Sequence, residues 1–100
     1  MTNPHDIIGA CARFWNISRG ELLGRNKRRS HSLPRQVAMY LMLESGMTSI
    51  DVGRFIGRDH STVMHGRDSV KGWMQNDLWL RGVVATLKAE TSKKKERIKQ

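Results

Sequence analysis

Gly57-Arg58-Asp59-His60-Ser61-Thr62-Val63-Met64-His65 reads as a tight turn that opens directly into a helix. Gly57 lets the chain turn sharply, because a residue without Cβ takes positive φ at little steric cost. Asp59 is an expected N-cap, its carboxylate accepting from the amide of Ser61 or Thr62, a contribution of about 1 kcal/mol. Beyond the cap, Val63, Gly66, Val70, Trp73 and Met74 recur at helical spacing and mark a buried face on a helix running to about Asn76. That leaves Arg58, Asp59, His60, Ser61 and Thr62 on the first turn, beside amides that have no partner within the helix. A short polar turn with mixed donors and acceptors suits the base edges of a DNA major groove.

Working upstream, Thr48 or Ser49 caps a short helix bearing Ile50, Val52, Phe55 and Ile56. A turn of about three residues at Gly57 joins it to the next helix, which makes the pair a helix-turn-helix. The second helix of such a motif is the one that enters the major groove. Before it, a helix is expected from Pro34 to about Ser45, stopped by Gly46. Val37 to Leu43 form an almost unbroken apolar run, so this helix is central and covered on most sides. A buried strand competes for that run, but its length, the early proline and the terminal glycine favour helix. Arg35 and Gln36 fall on its first turn, where they can reach back toward whatever the preceding segment binds. That segment, Arg25-Asn26-Lys27-Arg28-Arg29-Ser30-His31-Ser32, holds four cations, no acid and no apolar residue. It is expected as a surface loop. A merely solvated loop is the plain alternative, but the apolar helix behind it would hold its end rigidly.

At the N-terminal end, Asn3-Pro4 pairs a capping side chain with proline at the first helical position. Ile7, Ile8, Cys11, Ala12, Phe14 and Trp15 then mark the buried face of a helix reaching about Asn16. Ser18 and Glu21 form a capping box for a short helix with Leu22 and Leu23, ended by Gly24. Asp77 can cap a last helix with Leu80, Val83, Val84 and Leu87 on its inner face, clamped by Trp73 and Trp79. Apolar periodicity stops at Thr91, so residues 91–100 are expected as a basic, flexible tail, either attracted to DNA or simply solubilising. The expected architecture is therefore all-α: a compact helical domain of about six helices over residues 1–90, with a helix-turn-helix motif.

One hundred residues support a single core. A formal charge of +9, from 18 Lys and Arg against 9 Asp and Glu, favours a polyanionic partner, although basic composition alone is a weak indicator. The single cysteine, Cys11, precludes an internal disulfide and lies in an apolar run, as expected of a buried thiol in a reducing compartment. No apolar run approaches the ~18 residues of a membrane span. The first residues lack the basic and apolar regions of a signal peptide. The expectation is a cytoplasmic, nucleoid-associated chain with no membrane partner. His60 and His65 stand five apart, on different helix faces, so no metal site is expected. Asp59, His60 and Ser61 are adjacent and diverge instead of converging on a reacting atom, so neither catalysis nor a cofactor is expected. The basic segment has no aromatic residue to stack on splayed bases, which favours duplex DNA over RNA.

These residues resemble the C-terminal DNA-binding domain of the bacterial replication initiator DnaA. Gly57 to His65 is similar to that family's G-R-D-H-T-T-V-x-H signature. Lys27-Arg28-Arg29-Ser30 resembles its basic loop, and Pro34-Arg35-Gln36-Val37-Ala38-Met39 its P-R-Q-x-A-M helix start. The resemblance covers about residues 5–90. It implies a short asymmetric duplex target, the DnaA box, bound by one domain copy. It implies base reading in the major groove by Arg58, Asp59, His60, Ser61 and Thr62. It implies a minor-groove arginine at Arg29, with Arg28 as the alternative, and contacts at the groove edge from Arg35 and Gln36.

The departures are specific. Ser61 stands for the usual threonine and lacks a methyl that could meet a thymine methyl. Ser49-Ile50-Asp51-Val52-Gly53 lacks a proline common after the first two residues, the turn has one glycine where two are common, and Leu43 replaces a frequent cation. The sequence also has no G-x-x-x-x-G-K-[ST] phosphate loop, which the full initiator's ATPase module carries. If the chain acts by itself, it can occupy boxes without melting an origin, as a competitor, decoy or local regulator of replication or transcription.

In this scheme Asp59 accepts from a cytosine amino group, and Ser61 or Thr62 pairs with several bases, each good contact discriminating by roughly 1–3 kcal/mol. Arg29 gains from the negative potential of a narrow A·T minor groove. Arg25, Lys27, Arg28 and Arg35 position the domain on phosphates. Neutralising about five phosphates gives a slope of log K against log salt of about −4 to −5. The competing class is a basic protein-interaction module that docks on full-length DnaA or another replication protein. Asp59→Ala and His60→Ala separate the two, because only sequence-selective DNA binding should be lost.

Overall fold

Asn3 caps the first helix as its sequence requires: its side-chain oxygen accepts from the His5 amide at 2.8 Å. Six helices follow in a computed structural model that describes residues 2–98, with side chains through residue 92. They are α1 (Pro4–Trp15), α2 (Arg19–Leu23), α3 (Arg29–Glu44), α4 (Ser49–Ile56), α5 (His60–Met74) and α6 (Leu78–Ile98). The described residues form no strand. Each boundary has a local cause. Ser18 and Glu21 close the capping box of α2, with bonds of 3.0 and 2.8 Å. Thr48 caps α4 through the Asp51 amide, and Asp77 accepts from the Leu80 amide at the start of α6.

The centre is α3, which packs against all five other helices. Val37, Ala38, Met39, Leu41 and Met42 are buried there. They meet Ile7, Ile8 and Cys11 of α1, Val52 and Ile56 of α4, Val63 and Val70 of α5, and Leu80, Val83, Val84 and Leu87 of α6 in one core. Fully burying a side chain of this kind contributes about 1.5–3 kcal/mol, so the core sets the helix arrangement.

Four expectations are corrected. First, α3 begins at Arg29, not Pro34, so Arg29 to Ser32 are helical and Pro34 lies inside the helix. Proline is tolerated because only the amide that would bond the Ser30 carbonyl is lost, one turn from the end. Second, Phe14 is 44% exposed, because it lies beyond the strip of α1 that faces the core. Third, Trp79 is 58% exposed and stays outside the core; its ring meets α1 only at the surface, 6.2 Å from that of Phe14. Fourth, the backbone does not change at residue 91. Thr91 is buried with its hydroxyl donating to the Leu87 carbonyl, and α6 stays helical to Ile98. The expected tail's side chains from residue 93, and residues 99–100 altogether, lie outside the described residues.

Candidate nucleic-acid interface

The turn between α4 and α5 is built on Gly53. Its carbonyl accepts the amides of Gly57 (2.8 Å) and Arg58 (2.9 Å), reversing the chain within one turn of helix. Gly57 takes φ +79° to do so. A Cβ on Gly53 would stand 2.5 Å from the Arg58 carbonyl oxygen, so the close approach of the two helices needs glycine. From this turn α5 starts with a fully formed cap: Asp59 Oδ1 accepts from the Ser61 amide at 2.7 Å and from the Ser61 hydroxyl at 2.8 Å. The Ser61 hydroxyl and amide bonds hold the Asp59 carboxyl below the usual carboxylate range, so it stays charged at neutral pH. Asp59, His60, Ser61 and Thr62 are all exposed on one helix end.

Arg58 behaves differently from its neighbours. It is half-buried. Its Nη2 donates to the Gly24 carbonyl at 2.6 Å and lies 3.5 Å from that of Leu23. In the chain without DNA this guanidinium joins the helix-turn-helix turn to the end of α2. Arg35 makes contacts of the same kind. It is 7% exposed, and its Nε and Nη2 donate to the carbonyls of Leu22 (2.7 Å) and Asn26 (3.0 Å). Burial lowers both arginine pKa values; Arg35 is further lowered by Arg58, and Arg58 by Arg25. Two guanidiniums thus bind main-chain carbonyls over residues 22–26 and fix the start of the basic segment against the turn. These carbonyls left no trace in the sequence, since any residue supplies one.

The rest of the basic segment is at the surface. Arg25, Lys27, Arg28 and Arg29 are exposed. The Arg28 amide donates to the Asn26 side chain at 2.8 Å, and Arg28 itself is the N-cap of α3. Arg29, on the first turn of that helix, lays its guanidinium over the Trp73 ring, 4.8 Å from the centroid. Gln36 is half-buried beside Gly66 of α5, where its Cγ would lie 3.5 Å from an added Cβ. The structure therefore places Arg25 near the turn, where its charge acts on Arg58, and Arg29 at the other end of α5, over Trp73, while Arg35 and Arg58 hold the carbonyls between. Among the described residues no group of three His, Cys, Asp or Glu could hold a metal ion. No helix of the described residues is long and apolar enough to cross a membrane.

A capped helix end, exposed and polar, set by a tight turn on a shorter helix in a domain with an exposed basic segment, defines a DNA-binding helix-turn-helix domain. A family model described as the bacterial DnaA protein helix-turn-helix matches residues 4–70. The chain belongs to that family. It is 40% identical over 88 residues to the chromosomal replication initiator protein DnaA of Thermomicrobium roseum, covering 86% of this chain and 19% of the relative. It is 39% identical over 87 residues to the protein of the same name from Rhodopseudomonas palustris, covering 85% of this chain and 18% of the relative. For that of Limosilactobacillus reuteri the identity is 37% over 81 residues, covering 79% and 18%. The chain spans less than a fifth of the length of these relatives.

Proposed function

We propose that this domain binds duplex DNA sequence-specifically at DnaA-box-like sites, as a monomer, without catalysis or cofactor. The observation that supports this most is the exposed, fully capped start of α5, carrying His60, Ser61 and Thr62 beside the Asp59 carboxylate. A rigid first turn presents donors and acceptors with little entropy left to lose on binding. In the major groove Asp59 accepts from a cytosine amino group, while His60, Ser61 and Thr62 meet neighbouring base edges. Arg29, or Arg28, enters the adjacent minor groove, and Arg25 and Lys27 meet phosphates. Gln36 touches the groove edge. Arg35 and Arg58 act by positioning, since their nitrogens hold the carbonyls of residues 22–26.

The sequence has no phosphate loop, so this stretch occupies sites without ATP chemistry of its own. In the cell it acts at the nucleoid, in the cytoplasm, on replication initiation or transcription, by competition with the full initiator for boxes. Selection of bound duplexes from a random pool at physiological salt tests this. The expected result is enrichment of one asymmetric box-like site, lost in Asp59→Ala and His60→Ala. No enrichment from the intact chain would overturn it.

The exposed Phe14–Trp79 pair favours a second reading, docking on a replication protein such as full-length DnaA. In that case Trp79→Ser weakens capture of the partner and leaves DNA selection unchanged.

A further inference from the structure

Among the basic residues before and at the start of α3, Arg29 has a partner of a distinct kind. Its guanidinium rests 4.8 Å from the Trp73 ring centroid. Trp73 belongs to α5, one residue before its end. An open groove of about 510 Å³, lined by Arg29, Gly72, Trp73, Asn76, Asp77 and Leu78, surrounds the contact. It offers a cation two attractions: a π face and the carboxylate that caps α6. The groove lies at the opposite end of α5 from His60, roughly 20 Å away along the helix axis at 1.5 Å per residue. A guanidinium held there is drawn back from the end of α5 that meets the bases.

We propose that Trp73 is a specificity-determining residue that parks Arg29, so that minor-groove insertion competes with the stack on the indole. This rests on the assignment of Arg29 to the minor groove. The competition has a definite sign. A duplex that does not engage Arg29 is bound with the stack intact and is unaffected. A narrow A·T minor groove must first draw the guanidinium off the ring, so the stack subtracts from affinity only where the arm inserts. An exposed cation–π contact is worth about two- to five-fold in an equilibrium constant. Trp73 therefore sets how much the flanking A·T sequence adds to binding.

The test uses the intact chain, fluorescently labelled duplexes from the selection, and the same duplexes with single A·T pairs changed to G·C, which places an amino group in the minor groove. The step that matters is the one whose change weakens the wild type and leaves Arg29→Ala indifferent. At that step Trp73→Leu is expected to bind the A·T duplex about two- to five-fold tighter, with no gain on the G·C duplex and none in the Arg29→Ala background. Trp73→Phe, which keeps a weaker π face and a near-native volume, should show a smaller gain; it decides the matter if the leucine variant loses its helical circular dichroism. A folded variant that binds the A·T duplex equally or more weakly overturns the parking role. If no A·T step depends on Arg29, the minor-groove assignment itself fails, and the proposal with it.

Discussion

Arg58 and Gly24, 34 residues apart in sequence, are joined by a 2.6 Å bond from guanidinium to carbonyl. This single contact ties the turn of the helix-turn-helix to the point where the basic segment begins. Arg58→Lys keeps the charge but cannot hold the same carbonyl geometry. It is expected to lower stability by about 1–2 kcal/mol, seen as a lower urea midpoint at unchanged slope. Its affinity for the selected duplex should also fall when measured far below the melting transition. A lysine variant equal to wild type in both measurements would remove Arg58 from the support of the site.

Gly53 and Gly82 make opposite predictions for the same substitution. Gly53→Ala places a methyl 2.5 Å from a backbone oxygen that has no room to yield. The expected loss is about 1–3 kcal/mol, accompanied by loss of duplex selection. Gly82, inside α6, has nothing within 4 Å of an added Cβ. Gly82→Ala should therefore stabilise the chain by up to about 1 kcal/mol through helix propensity. Thermal unfolding of the two variants beside wild type reads both signs.

Asp59 has two roles that substitution can separate. Asp59→Ala removes the cap and is expected to cost about 1 kcal/mol. Asp59→Asn retains a capping oxygen, so it should keep most of that stability while losing the preference for the base pair read by the carboxylate. The pH dependence has the sign of a depressed carboxylate. Its folded pKa lies below the unfolded one, so the stabilisation is complete above the unfolded value and is lost as pH falls through the folded value. Binding and cap should be constant near neutrality. Faster exchange of the Ser61 amide, followed by NMR, should appear only at acid pH below the usual carboxylate range.

Cys11 reports on the core. Burial, with a further contribution from Glu90, pushes its thiol pKa up to about 12. The folded chain should resist alkylation at mildly alkaline pH, and labelling should follow the unfolded fraction through a denaturant series. Rapid modification of the native chain would mean that α1 opens far more readily than its packing implies.

Salt dependence tests which cations face DNA. With Arg35 and Arg58 bound to carbonyls, Arg25, Lys27, Arg28 and Arg29 remain exposed in the segment. With Arg29 in the minor groove, about three neutralised phosphates give a slope of log K against log salt of roughly −3, shallower than the full set of arginines would give. Arg28→Ala should reduce it by about 1. Arg35→Lys should leave the slope alone while lowering stability, as fluorescence anisotropy over a salt series will show.

What could be read in the chain was what short-range chemistry decides. Asn3, Ser18 with Glu21, and Asp59 each announce a helix start within three residues, and each cap is present. The alternation of apolar residues likewise located the faces that meet in the core. Long-range partners were not legible. Arg35 and Arg58 look like their surface neighbours in composition, and only the folded chain shows the carbonyls of residues 22–26 against them. Pro34 misled for a related reason: proline favours a first turn, yet five helical residues precede it. Phe14 and Trp79 are apolar without being interior, a distinction that periodicity at the edge of a helical strip does not make.

Pro34 has one further consequence. Because it offers no amide to the Ser30 carbonyl, the turn from Arg29 to Leu33 is joined to the remainder of its helix by one hydrogen bond fewer. Of that turn only Leu33 reaches the core, so movement of Arg29 at the surface is passed on to Val37, Ala38 and Met42 through fewer main-chain bonds. The proline works as a soft joint: what steadies Arg29 is its seat on Trp73 more than the main chain beneath it.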